Sequence, residues 1–178
     1  MDGQVEVEMT DALAFKRCFP PVTNEHTRVL VLGSLPGAVS LAQCQYYAHK
    51  QNRFWHLMGE VTGRDLPAMA YADRLRALQE RGIGLWDVVA QARRAGSLDS
   101  NIRDRADNDL VGLVSTLPRL DAIAFNGGTA ARIGMQALGP LAERLIILRL
   151  PSSSPAYTLA YAEKLRQWEA LRAQLLPA

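Results

Sequence analysis

The feature that most constrains this chain is a set of four short apolar runs, each closed at its C-terminal end by glycine, proline or a polar residue. They occupy residues 28–32, 83–89, 121–125 and 144–150. Short apolar runs bounded by turn residues read as strands buried on both faces. Helical patterns fill the gaps between them. One runs over 52–62 and ends at Gly63. A second is capped by Asp65, has Pro67 near its start and Met69, Leu75 and Leu78 on its inner stripe, and stops before Gly82. Others cover about 108–117, the stretch after Asn126-Gly127-Gly128 as far as Leu138, and 158–176. Strand thus alternates with helix four times. That pattern predicts an α/β domain of three layers, α/β/α, around a four-stranded parallel sheet. Thr10 or Asp11 is the expected cap of a short helix through Arg17, and residues 1–9 read as a frayed terminus. Residues 91–105, QARRAGSLDSNIRDR, show no period and are expected to form a long surface loop. Without a repeat or linker, residues 1–178 read as one domain.

Composition narrows the function. At 178 residues and 48% hydrophobic, the chain can bury a substantial core. A net charge of +2 makes any nucleic-acid surface a local patch. Cys18 and Cys44 lack paired spacing, which points to a reducing, cytoplasmic setting without disulfides. His26, His49 and His56 show no HExxH spacing, so neither a metal nor another cofactor is expected. The acidic N-terminus, MDGQVEVEMT, is not a signal peptide. No apolar run approaches the roughly 20 residues that span a membrane. A soluble monomer is the expectation.

Ligands of open α/β sheets bind beyond the carboxyl ends of the strands. Here those ends are Gly33-Ser34-Leu35-Pro36-Gly37, Asp87, Asn126 and Pro151-Ser152-Ser153-Ser154-Pro155. A strand end needs no Asp, Asn or Ser for folding alone, so their convergence points to a cleft. GSLPG lacks the Lys-Ser/Thr of a phosphate-binding loop and the GxSxG of a nucleophile elbow. The first loop continues through Tyr46-Tyr47-Ala48-His49 to a helix start at Asn52, with Phe54 and Trp55 in its first turn. A tyrosine in such a loop suits stacking on a base, although both tyrosines also suit a core edge. Asn52 suits either an N-cap or a polar group facing the cleft. Asp87 could equally cap or form a turn.

The segment Tyr47-Ala48-His49-Lys50-Gln51-Asn52-Arg53-Phe54-Trp55 resembles the FAHPxNRFW region of mismatch-specific uracil and thymine DNA glycosylases. GSLPG resembles their GINPG, and Phe125-Asn126-Gly127 their FNGK. LPSSSPAY is similar to the second active-site motif of the uracil-DNA glycosylase superfamily, HPSPLS or NPSGLS. Together with GIxLWDV and GSLDSNI, the set looks most like the deoxyinosine (hypoxanthine) DNA glycosylase branch and covers about residues 29–157. In this likeness Leu35 and Leu150 replace the residues that position water and polarise the base. Asp87 stands where the uracil enzymes have a base-reading Asn, and Lys50 replaces a proline.

The resemblance implies a monofunctional glycosylase that flips a deaminated base from DNA, hypoxanthine first and uracil second, and hydrolyses its glycosidic bond. Asn52 and Asp87 are the expected catalytic residues. Tyr47 would stack on the base, and Asp87, Asn126 and the backbone at Ser34 and Leu35 would read its edge. Ser152, Ser153 and Ser154 would grip phosphates, with Arg53, Arg93 and Arg94 as weaker candidates, and the loop carrying Tyr157 would supply the wedge. Two other readings stand beside this one. The first is a DNA-binding module without activity, suggested by Leu35 and Leu150. The second is an α/β enzyme of small nucleosides or nucleotides.

Overall fold

A computed structural model describes residues 14–178. The expected frayed segment 1–9 and the expected cap at Thr10 or Asp11 lie outside the described residues. Two sheets organise the rest. The larger one contains β2 (Val29–Gly33), β3 (Ile83–Asp87), β6 (Ala122–Asn126) and β7 (Ile146–Leu150), in the spatial order β3-β2-β6-β7 and parallel throughout. This is the expected four-stranded sheet. Its order reverses direction between β2 and β6, which makes their carboxyl ends the switch point where an open sheet leaves a crevice.

Helices cover both faces, giving three layers. Along β2, Val29 and Val31 point into one core with α2 (Phe54–Thr62), α3 (Tyr71–Glu80) and α6 (Tyr161–Trp168). Leu30 and Leu32 point into a second core, with Phe125 of β6 and with α4 (Leu110–Ser115) and α5 (Gly128–Leu138). Both faces are covered, so the strand carries no polar residue. Trp168 is fully buried and its indole donates to Pro151 O at 2.9 Å. That bond ties α6 to the loop after β7. Among the described residues, no helix is long and apolar enough to cross a membrane.

Three expectations fail, each for a physical reason. The anticipated helix through Arg17 is instead strand β1 (Phe15–Arg17), where buried Lys16 alternates with exposed neighbours at a period of two. The apolar run 83–89 divides at Asp87-Val88, and Val89 opens a further strand, β4 (Val89–Arg93). The segment 91–105 is no structureless loop. It holds most of β4 and of β5 (Arg103–Asp107), which join β1 in an antiparallel sheet of order β1-β4-β5. Every residue of β5 is exposed, so RDRAD shows none of the apolar alternation that marks a strand.

The remaining differences are local. A six-residue helix, α1 (Ala38–Gln43), follows the GSLPG loop. Pro67 sits in a short 3₁₀ turn, Leu66–Ala68, and α3 starts only at Tyr71. The last helix gives way after Trp168 to a 3₁₀ segment, Glu169–Gln174.

Candidate active site

The carboxyl ends of the parallel strands enclose a cleft of about 520 Å³, lined among others by Gly33, Tyr47, Asn52, Asp87, Asn126 and Tyr157. That volume lies within the range of small-ligand sites. The floor is set by the close approach of three groups at the end of β2. A Cβ on Gly33 would stand 2.7 Å from Asp87 Oδ1 and 2.9 Å from the Tyr47 hydroxyl oxygen. Only glycine leaves room for both. Asp87 is 4% exposed, and neither its Oδ2 nor the Tyr47 hydroxyl has a hydrogen-bonding partner among the described residues. Burial raises the Asp87 carboxyl to about 7, opposed by nearby Arg94 and assisted by Asp99. Burial likewise pushes the Tyr47 hydroxyl above its ordinary range, with Asp87 adding to the effect and Asn126 opposing it.

The loop 33–37 is braced from behind. The Arg94 guanidinium, 1% exposed, donates to Leu35 O at 3.2 Å and to Pro36 O, and lies 3.6 Å from Asp99. Ser34 Oγ donates to Asp99 Oδ1 at 2.7 Å, and Ala38 N donates to Ser97 Oγ at 3.1 Å. The segment before β5 therefore clasps the loop and presents Leu98, 51% exposed, in the wall of the cleft.

The tyrosine loop forms the opposite wall. Tyr46 is structural, because it is buried, donates its hydroxyl to Pro20 O and accepts at its carbonyl from the Trp55 indole. Tyr47 adopts φ 54°, a left-handed conformation that costs a bulky residue roughly 1–2 kcal/mol. Its stack on Phe54, with ring centroids 3.8 Å apart, helps to offset that cost. Phe54 covers one face of the ring, and the half-buried Tyr47 lines the cleft. Asn52 Oδ1 accepts from Phe54 N at 3.0 Å, so the side chain closes a turn before α2 while lining the cleft.

The second loop is held by a different set of bonds. Asn126 Oδ1 accepts from Ser153 N at 2.8 Å, and its Nδ2 donates to Ser153 Oγ at 2.9 Å. Arg53 N donates to Ser153 O at 3.0 Å, linking this loop to the start of α2. Lys164 is 3% exposed and donates to Ser154 O at 3.1 Å, with its ammonium 5.5 Å from the Tyr157 ring centre. Burial and nearby Arg53 lower the Lys164 pKa.

The family model for the uracil DNA glycosylase superfamily matches residues 20–174. The chain belongs to this superfamily. It is 41% identical over 156 residues to a hypoxanthine DNA glycosylase of Methanosarcina acetivorans, covering 88% of this chain and 97% of the relative. It is 46% identical over 112 residues to a hypoxanthine DNA glycosylase of Methanosarcina barkeri, covering 63% and 71% respectively. A solution NMR structure of a candidate uracil DNA glycosylase from Methanosarcina acetivorans superposes with a TM-score of 0.80 at 40% identity. That match covers 90% of this chain and 99% of the other.

Within this superfamily fold, Ser34, Leu35, Tyr47, Asn52, Asp87, Asn126, Ser152, Ser153, Ser154 and Tyr157 all meet around one cleft. Several take other positions than a reading by residue type suggests. Arg94 is a buried brace, not a phosphate contact. Arg93 lies away from the cleft over the Phe15 ring, 4.8 Å from its centre. Ser153 is 1% exposed, with its hydroxyl accepting from Asn126, so it is set apart from Ser152 and Ser154 of the same loop. Asn126 in turn keeps only one amide hydrogen and the remaining carbonyl lone pair for a ligand. Leu35 and Leu150, each 6% exposed, pack into opposite cores. Sequence reasoning missed Ser97, Leu98, Asp99 and Lys164; only GSLDSNI, as a motif, pointed at the first three. Among the described residues, no cluster of His, Cys, Asp and Glu could hold a metal ion.

Proposed function

We propose that this chain is a monofunctional DNA glycosylase that draws a flipped deaminated base into the cleft, hypoxanthine before uracil, and hydrolyses its N-glycosidic bond. The observation that carries this reading is the meeting of Tyr47, Asn52 and Asp87 at the switch point of the sheet, in a chain of this superfamily. The preference for hypoxanthine draws on the two named relatives. The Tyr47 ring, backed by Phe54, offers a stacking surface, and the Asp87 carboxyl meets the edge of the base. Asn52 holds the attacking water through the second lone pair of Oδ1, since the first accepts from Phe54 N. Bond breaking runs ahead of attack, so a neutral amide suffices to place the water.

Arg53, Ser152 and Ser154 contact phosphates, and Tyr157, half exposed on its loop, fills the vacated stack. Lys50 is exposed and is not part of the cleft lining, which favours hydrolysis over Schiff-base chemistry. The enzyme acts as a monomer in the cytoplasm and needs no cofactor.

The test is an excision assay on duplexes bearing hypoxanthine, uracil, xanthine or a thymine mismatch, with abasic sites revealed by alkali. The expected result is alkali-labile product, fastest from hypoxanthine, with the same rate in EDTA and no strand nicking before alkali. Salt-dependent binding without release of any base would leave only a DNA-binding module.

A further inference from the structure

By the resemblance above, Leu35 and Leu150 stand at the motif positions that place water and polarise the departing base, and both are buried in hydrocarbon. The leaving group still needs stabilising, because the C1′–N9 bond breaks with its electron pair moving to the purine. The cleft contains few groups able to supply a proton. The Ser34 hydroxyl already donates to Asp99. The Asn126 amide is bonded to Ser153 at both ends. The Tyr47 phenol is held in its neutral form. His49 is exposed at the rim, with Nδ1 accepting from Gln51 N. Asp87 is the carboxyl buried on the floor; its Oδ2 has no partner among the described residues, and it lies against the backbone at the end of β2.

On the glycosylase reading above, we propose that Asp87 enters the reaction as a carboxylic acid and delivers its proton to the purine as the glycosidic bond breaks. The base then leaves neutral. The sugar cation is captured by the water on Asn52, and the proton released from that water restores the Asp87 acid by way of solvent. One water is consumed, and no oxidant, metal or second substrate enters.

The surroundings of Asp87 are consistent with an acid that is protonated near neutrality. The groups that act on it are Arg94 and Asp99 from the segment after β4, with Tyr46, Tyr47 and Cys18 also within its electrostatic reach. Arg94 is the one cation among them, and its guanidinium bonds to the carbonyls of Leu35 and Pro36. Burial therefore prevails, and the carboxyl holds its proton to about pH 7.

The experiment is single-turnover excision of hypoxanthine from pH 5 to 9 by the full-length enzyme, compared with Asp87→Asn. Wild-type rates should be level at acid pH and fall by roughly tenfold per pH unit above the Asp87 transition. Asp87→Asn should be slower by about 10²-fold or more at pH 6 and show no such fall. Hypoxanthine methylated at N7 carries its positive charge beforehand, so Asp87→Asn should release it at nearly the wild-type rate. A wild-type rate that holds to pH 9 overturns the proposal, whether or not the variant folds. So does an equal loss on both substrates, which would leave Asp87 as a reader of the base edge only. If the wild type releases no deaminated base at any pH, the glycosylase reading itself fails and takes the proposal with it.

Discussion

The two loops that line the cleft, 33–37 and 151–157, are braced alike and differ in what the brace stands beside. Each carries or adjoins a leucine that is buried in a core, and each is braced by a buried cation bonded to its backbone carbonyls. Arg94 holds Leu35 O and Pro36 O, and Lys164 holds Ser154 O. The difference lies in what stands beside the brace. Arg94 comes from the segment after β4 and sits near Asp87, at the floor. Lys164 comes from α6 and sits under Tyr157, at the rim. On the proposed reading, the first loop frames the chemistry and the second frames the grip on DNA. On that reading the reacting groups lie between the two loops, on the tyrosine loop and at the end of β3.

The sharpest way to break this division is Asn52→Ala. If chemistry resides between the loops, single-turnover excision falls by about 10²-fold or more, while DNA affinity holds. The turn bonded to Phe54 N is lost as well, at a cost near 1 kcal/mol, so melting temperature must be followed. A folded variant with a normal rate would reduce Asn52 to a turn residue and hand the water to another group.

Exchanging the braces comes next. Arg94→Met leaves the carbonyls of Leu35 and Pro36 buried without a donor, and each such group costs about 1–3 kcal/mol. The variant should melt earlier and lose kcat with little change in Kd. Lys164→Met releases Ser154 O instead, and should weaken DNA binding while preserving the rate on bound DNA. If both variants lose the same parameter, the loops are not specialised.

A smaller effect is expected from Tyr157→Ala. Stacking of an aromatic on bases is worth about 1–3 kcal/mol, so duplex affinity should fall roughly tenfold. Excision from single-stranded substrate, where there is no stack to fill, should hardly change. Equal loss on both substrates would argue for a contact with the flipped nucleotide and against a wedge.

Much of this organisation was legible in the sequence because parallel strands covered on both faces leave uninterrupted apolar runs. Their polar ends, Asp87 and Asn126 among them, stand out for the same reason. What stayed hidden depends on pairing over long separations. Ser34 and Asp99 are 65 residues apart, and neither residue type announces the other. Arg94 reads as a surface cation until the carbonyls that bury it are seen. Strand β5 shows no pattern because neither of its faces is covered. Ser153 looks like its neighbours in a serine run, and only the bond from Asn126 sets it apart.

The smallest effect separates the two ends of the cleft by stability alone. A buried acid whose pKa rises to about 7 from 3.8 binds its proton more tightly in the folded chain than in the unfolded one. Between those values the native state holds more protons, so folding stability declines as pH rises from about 4 to 7 and is level above. This is opposite to a salt-bridged carboxylate, whose contribution is lost on acidification. Asp87→Asn removes the titration and keeps the shape. Its melting temperature, measured against wild type in the same buffers, should therefore gain a few degrees between pH 5 and pH 8. Lys164→Met should show no comparable rise relative to wild type over that window, since no carboxyl of the second loop is involved. The comparison within one buffer cancels groups common to all three proteins, including Glu163, whose pKa is lowered by Arg166. A constant difference between Asp87→Asn and wild type from pH 5 to 8 would show that Asp87 does not titrate in the folded chain over this range. The floor of the cleft would then hold a permanent carboxylate, and the division between a chemical first loop and a gripping second one would rest on Asn52 alone.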